Sequence, residues 1–159
     1  MLSMCLVAIS LVLPVDGDTS RSYAKRFNKG IDHRVQNCIS LIHLSRKMKA
    51  PTLLVLAIAS VESGFKSRQV SSAGARGLLG VMPSNMKGRD KGSRHAWEKR
   101  GIEILMYLME RKDLCNSLAY YNAGGKGTCT GLGGGYAALV TARYYRLCMM
   151  FDAKECYTC

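Results

Sequence analysis

Seven of the twelve residues from Gly124 to Gly135 are glycine. No regular element of ordinary stability runs through such a stretch, because glycine gives up more backbone freedom on ordering than any other residue. A second breaker-rich segment, Ser71 to Gly92, mixes Gly and Ser with Pro83 and predicts loop and short irregular structure. The segments around these interruptions are patterned for helix. Val35, Ile39, Ile42 and Leu44 form an apolar stripe over Arg34–Met48, ahead of basic residues Arg46, Lys47 and Lys49. Pro51 suits a first helical turn, and strong apolar character continues from Leu53 to Phe65. Ile102, Leu105, Met106 and Met109 predict a helix over His95–Arg111, with a shorter one over Leu114–Ala123. Leu139, Val140, Tyr144 and Leu147 predict another over Tyr136–Met150. No long alternating strand and no internal repeat is present. The expected fold is mainly α, a single domain with a short irregular or β-like Gly-rich lobe.

The chain has 159 residues, 48% hydrophobic and 21% charged, a balance that excludes disorder and fits one domain with a real core. Twenty-three Lys and Arg against 11 Asp and Glu leave a formal charge of +12. Such an excess predicts an anionic partner: nucleic acid, membrane headgroups or an acidic wall polymer. Met1 to Val15 carries no charged side chain and is too short to span a bilayer, which takes roughly 20 apolar residues. Two readings fit it. One is the apolar core of an export signal, with Val15 and Gly17 as small residues before a cut; the other is an uncleaved arm packed in an assembly. The expected organisation is therefore an apolar leader or arm (1–17), an N-terminal helical region (18–50), a core (51–151) and a Cys-containing tail (152–159).

With Cys5 in the apolar arm, six cysteines remain: Cys38, Cys115, Cys129, Cys148, Cys156 and Cys159. That even number fits up to three disulfides in an oxidising compartment, against the plainer reading of scattered buried thiols. Cys156-Tyr-Thr-Cys159 is a C-x-x-C pair with no second pair or His at zinc spacing, so it reads as a stapled tail. His33, His43 and His95 show no ligand spacing either, and no Gly-x-Ser-x-Gly occurs. No metal and no cofactor is expected.

Leu54, Ile58 and Glu62 are spaced i, i+4, i+8 and so share one helix face. A carboxylate on an otherwise aliphatic face is unusual, although a lone Glu on a helix is far more often solvated than functional. Glu62 also precedes Ser63-Gly64, in a last helical turn whose unpaired carbonyls make the local field negative. Apolar surroundings disfavour the ionised form as well. Both effects raise the pKa. A carboxylic acid that stays protonated in a cleft is what glycosidic cleavage needs, because the leaving oxygen must receive a proton.

Val61-Glu62-Ser63-Gly64-Phe65, followed by Val70-Ser71-Ser72-Ala73-Gly74-Ala75-Arg76-Gly77-Leu78-Leu79-Gly80-Val81-Met82-Pro83, resembles the signature of the soluble lytic transglycosylases. Ala119-Tyr120-Tyr121-Asn122-Ala123-Gly124 resembles their Ala-Tyr-Asn-Ala-Gly motif with one additional Tyr ahead of it. Gly101, Ile104 and Leu105 match the helix before that motif, and Thr141 with Tyr144 resembles the family's Thr-x-x-Tyr. Three motifs in order and spacing over about Pro51–Phe151 are a strong signal. The resemblance implies a lysozyme-like fold that cleaves peptidoglycan glycan strands, with Glu62 as the catalytic acid. It implies that Ser63 orients the acid or contacts substrate and that Ser71 lies near the sugar groove. Tyr121 and Asn122 would form the far wall, and Tyr144 would donate a hydrogen bond toward the carboxyl or the glycan. Gly80 stands where the family usually has Gln, which removes a polar side chain expected to touch substrate.

Plainer roles exist for several of these residues. Ser63 beside Gly can simply cap the chain exit, Ser71 can be a loop residue, and Asn122 before Ala-Gly can terminate a helix. Tyr120 and Tyr121 cannot both face a cleft from one regular helix.

Of the acids after Glu62, Asp90 sits among Lys87, Arg89 and Lys91, while Glu98, Glu103, Glu110 and Asp113 accompany basic residues on or beside a helix. None is placed to pair with Glu62, so a single-acid mechanism is expected, giving a 1,6-anhydromuramoyl end. The alternatives are a muramidase hydrolase of the same fold and a non-catalytic wall-binding component. A nucleic-acid binder, suggested by charge and by the basic stretch Lys87–Arg100, lacks a recognition motif. The expected partners are peptidoglycan glycan strands, together with a larger assembly, either a secretion or conjugation apparatus or a phage virion. The expected location is the periplasm and cell wall, or a phage tail.

Overall fold

The structure, a computed structural model, describes residues 1–11, 21–86, 88, 92–151 and 156. The Val15–Gly17 region of the expected cut, the Lys87 and Arg89–Lys91 part of the basic stretch with Asp90, and Cys159 lie outside the described residues. Among those described, six α-helices and no β-strand are present. The helices are α1 (Leu2–Ser10), α2 (Arg21–Lys47), α3 (Thr52–Glu62), α4 (Arg94–Met109), α5 (Leu114–Ala123) and α6 (Gly134–Phe151). The mainly α, lysozyme-like expectation holds.

The apolar run after Pro51 becomes the centre of the molecule. Every residue of α3 from Thr52 to Ser60 is buried, the mark of a helix enclosed on all sides rather than on one stripe. It packs against α1, α2 and α6, and α5 lies between α4 and α6. The core is continuous from Cys5 and Ile9 through Leu41, Leu54 and Ile58 to Ile102, Leu118, Val140 and Leu147.

The breaker-rich segment after α3 holds two isolated antiparallel bridges, Val70 with Arg76 and Arg76 with Val81. A single turn of 3-10 helix follows at Pro83–Met86. This is the expected β-like lobe, too short to count as a sheet. The glycine stretch is loop between α5 and α6, except for a short 3-10 turn at Gly124–Lys126 and the start of α6 at Gly134.

Three disulfides staple these elements, and one departs from expectation. Cys115 joins Cys129, tying α5 to the glycine loop, and Cys148 joins Cys156 beyond α6. The third joins Cys5 to Cys38, so Cys5 belongs to the disulfide set from which the sequence reading excluded it. The reason is packing. Cys5, Ala8 and Ile9, at i, i+3 and i+4, turn one face of α1 into the core against α2. Among the described residues no helix is long and apolar enough to cross a membrane.

Candidate active site

The site is built where α3 stops. After Glu62 the chain reverses through Gly64 and Phe65, both left-handed, with φ of 55° and 63°. Phe65 in that region is strained, and the surroundings hold it there. Its ring is fully buried, its N–H donates to Ser63 Oγ (3.1 Å), and its carbonyl accepts from the buried Asn37 amide (2.8 Å). Ser63 is itself buried. Its hydroxyl lies 3.1 Å from the Ala59 carbonyl oxygen and 3.0 Å from that of Leu78. It clasps the Gly-rich lobe to the end of α3, beside Glu62.

Glu62 is half-buried, and its pKa is raised, chiefly because burial disfavours the charged form. The nearby Tyr136 hydroxyl works in the opposite direction, favouring the carboxylate. That hydroxyl is buried without a hydrogen bond of standard geometry, and burial together with the Glu62 charge pushes the Tyr136 pKa well up. Tyr121 stands beside them. Its hydroxyl donates to the Leu79 carbonyl (2.8 Å), and burial, then the field of Glu62, raises its pKa far above the ordinary tyrosine range. Two neutral phenols thus flank one carboxyl.

The lobe meets this group at Gly80. Its φ is +62°, and a Cβ built there would run into the Glu62 carboxylate. Glycine at this position lets the main chain approach the acid, where any side chain would displace it. From the other side Gly101, on α4, brings that helix against the lobe. A Cβ there would come within 2.7 Å of Leu79 Cβ and 3.0 Å of the Tyr121 hydroxyl.

The remaining expected residues divide. Ser71 is exposed and closes the Ser71–Ala75 turn, its hydroxyl accepting the Ala75 N–H (3.1 Å). Asn122 is exposed near the end of α5. Tyr121 faces the acid, and Tyr120 turns away under the Lys112 ammonium, 5.0 Å from the ring centroid. Tyr144 is 1% exposed within the core, its ring 5.5 Å from that of Tyr145. A further phenol, Tyr136, two helical turns (about 12 Å) earlier on α6, lies beside Glu62. The family-like Thr-x-x-Tyr pattern drew attention to the later tyrosine. The signal that finds the earlier one is its place at the start of a helix, immediately after the glycine loop.

No second carboxylate acts on Glu62 among the described residues. Glu98 accepts the Leu78 N–H (3.3 Å) on the other side of the lobe, Glu103 pairs with Arg100 (3.4 Å), Glu110 with Arg111 (3.2 Å), and Asp113 caps α5. Nor do three or more His, Cys, Asp or Glu side chains gather as a metal site among those residues. The arrangement is one half-buried carboxyl whose pKa burial raises, flanked by two phenols.

Comparison with known proteins bears on the same stretch. No curated protein and no solved structure matches the chain. Residues 39–129 match the family model described as the Transglycosylase SLT domain. The match covers more than half of the chain and includes the end of α3, the Gly-rich lobe, Gly101 and Tyr121-Asn122. On that ground the chain belongs to the transglycosylase SLT family, whose domain is of the type that acts on peptidoglycan.

Proposed function

We propose that the protein is a peptidoglycan lytic transglycosylase that cleaves the MurNAc–GlcNAc bond with Glu62 as its only catalytic carboxyl. The observation that carries this is the half-buried Glu62, with its raised pKa, facing Tyr136 and Tyr121 with no partner acid among the described residues. Glu62 donates its proton to the glycosidic oxygen as the bond to the anomeric carbon breaks. The resulting carboxylate, stabilised by the Tyr136 hydroxyl, takes the proton of the muramoyl 6-hydroxyl as that oxygen attacks the anomeric carbon. One bond is broken, one is formed, and Glu62 ends protonated. The nucleophile is tethered to the reacting sugar, so proximity replaces a positioned water. Two-carboxylate hydrolysis needs a second acid across the bond, which favours the lyase over the muramidase reading. Tyr121 and Asn122 form the facing wall for the glycan, with Ser71 at the rim of the groove.

The setting extends the reading. Three disulfides favour an oxidising space outside the cytoplasm, where such an enzyme opens the wall locally for a secretion or conjugation apparatus or during phage genome entry.

The test is digestion of purified sacculi followed by mass spectrometry of the soluble muropeptides. The lyase reading expects 1,6-anhydro ends, one water lighter than hydrolytic products. It also expects Glu62→Gln to lose about 10²–10⁴-fold in rate, the usual worth of a positioned acid–base group. Reducing ends alone would replace it with the muramidase. Full activity in the folded Glu62→Gln variant would remove Glu62 from the chemistry.

A further inference from the structure

A pocket of about 920 Å³ opens on the side of the lobe away from Glu62, and its lining includes neither Glu62 nor Tyr121 nor Tyr136. It lies between α2, the segment after α3, the Gly-rich lobe and the start of α4. Arg34, Lys66, Arg68 and Arg76 line it together with His33, against one acid, Glu98. The cations are spread around the opening, with Lys66, Arg68 and Arg76 exposed. Phe65, Val70 and Trp97 supply apolar wall between them.

The walls are fixed by bonds already formed. Asn37 ties the Phe65 carbonyl to α2 (2.8 Å), and Glu98 holds the Leu78 N–H (3.3 Å). Arg76 is clamped through its main chain, which exchanges two hydrogen bonds of 2.9 Å with Val81. The pocket is therefore preformed, and a ligand need not order it. Its chemistry suits several carboxylates on aliphatic stems more than one compact phosphate, because the charges are separated by apolar surface.

Position adds a second argument. Gly77 and Gly80 stand three residues apart on one lobe. A Cβ on Gly77 would approach Glu98 Oε1 (3.4 Å), whereas one on Gly80 would meet Glu62. The same short segment thus forms a wall of both sites.

We propose that this pocket binds the carboxylate-bearing stem peptides of peptidoglycan, as a second site that holds the polymer while Glu62 acts on the glycan. The proposal rests on the wall-polymer reading of the catalytic site, and it predicts binding that depends on peptide rather than on charge alone. Two arginines on exposed positions contribute a few-fold to about tenfold in affinity, the size of two screened ion pairs.

The experiment uses the full chain carrying Glu62→Gln, so that the polymer stays intact, and measures its retention on two materials. One is native sacculi. The other is glycan stripped of stem peptides by an amidase, which leaves the lactyl carboxylate on each muramic residue and so remains anionic. The expected result is at least fivefold weaker retention on the stripped glycan. Adding Arg68→Ser and Arg76→Ser should remove the difference between the materials with little change in Tm. A control with Lys47→Ser and Lys99→Ser, in the neighbouring pocket lined by His43 and His95, should keep it. Equal retention on both materials, or equal loss in both double variants, would overturn the proposal. Displacement by a polyphosphate but not by free stem peptide would also overturn it, in favour of a phosphate polymer. Turnover by the chain with Glu62 intact is scored separately on native sacculi. Its absence there would count against the catalytic reading and leave the binding result standing.

Discussion

Two opposing influences act on Glu62: burial, which favours the protonated carboxyl, and the Tyr136 hydroxyl, which favours the carboxylate. Removing the hydroxyl leaves burial unopposed, so Tyr136→Phe should raise the Glu62 pKa further. Activity that needs the protonated acid falls as pH climbs through that pKa, and the alkaline limb of the pH–rate profile should therefore move upward in the variant. A limb that stays in place would mean that Tyr136 does not touch the reacting proton. Stability follows the same proton. Because folding raises this pKa, its contribution is complete below the unfolded value and is lost as pH rises through the native one. Gln does not titrate, so the Tm of Glu62→Gln relative to the native chain should increase from acid to neutral pH. A constant difference across that range would place the carboxyl in solvent. Gly80 makes a third residue-level case. Gly80→Ala puts a side chain at φ +62°, costing about 1–2 kcal/mol, and drives it into the carboxylate. Turnover should fall by a larger factor than the stability loss accounts for, as measured on the folded fraction.

At the scale of elements, legibility followed the strength of the local signal. The helix expected over Leu114–Ala123 matches α5 to the residue, and Asp113 precedes it as N-cap. The Asp113 side chain accepts the Asn116 N–H (2.9 Å) as N-cap, and its pKa is lowered chiefly by that bond. Asp113→Ala should destabilise the fold by about 1 kcal/mol at neutral pH. The cap's contribution is present above the unfolded carboxylate pKa and is lost as pH falls through the depressed native one. Thermal melts of both chains should therefore converge in acid, and a gap that persists there would assign the effect to something other than the charge. Other boundaries gave weaker signals. The stripe at Val35–Leu44 marks only part of α2, which runs from Arg21 within the helical region expected over 18–50. Glu62 stood out as an acid on an aliphatic helix face, and Tyr121 was singled out by the resemblance of its motif. Tyr136 was not, because what sets it against Glu62 is the packing of α6 on α3, a long-range contact without a local pattern. Gly80, read as a lost polar contact, is required by the approach of the lobe to the acid. That distance exists only in the folded chain.

Across the whole molecule the apolar amino-terminal segment changes meaning. In isolation it reads as a leader or as an arm packed in an assembly; in the fold α1 lies on α2, α3 and α6, with Cys5 and Ala8 fully buried. Its bond to Cys38 spans 33 residues, whereas the other two close spans of 14 and 8. Loop-closure entropy ranks the first as the strongest staple, worth roughly 3–4 kcal/mol. It also acts on the helix that matters most, since α1 covers part of α3, whose last residue is Glu62. Replacing Cys5 and Cys38 together by Ser should lower unfolding stability by about that amount, because the chain loses the crosslink and gains two hydroxyls in an apolar contact. Hydrogen exchange should show the loss first in α1 and the facing turns of α2 and α3, with α5 retaining its protection through Cys115–Cys129. The geometry around Glu62 is held by the Ser63–Leu78 and Tyr121–Leu79 bonds. The rate per folded molecule should consequently stay near that of the native chain well below its lowered Tm. A Cys5/Cys38 variant as stable as the native chain would show that α1 rests on the core without supporting it. A variant that lost its rate while fully folded would show instead that α1 sets the position of Glu62.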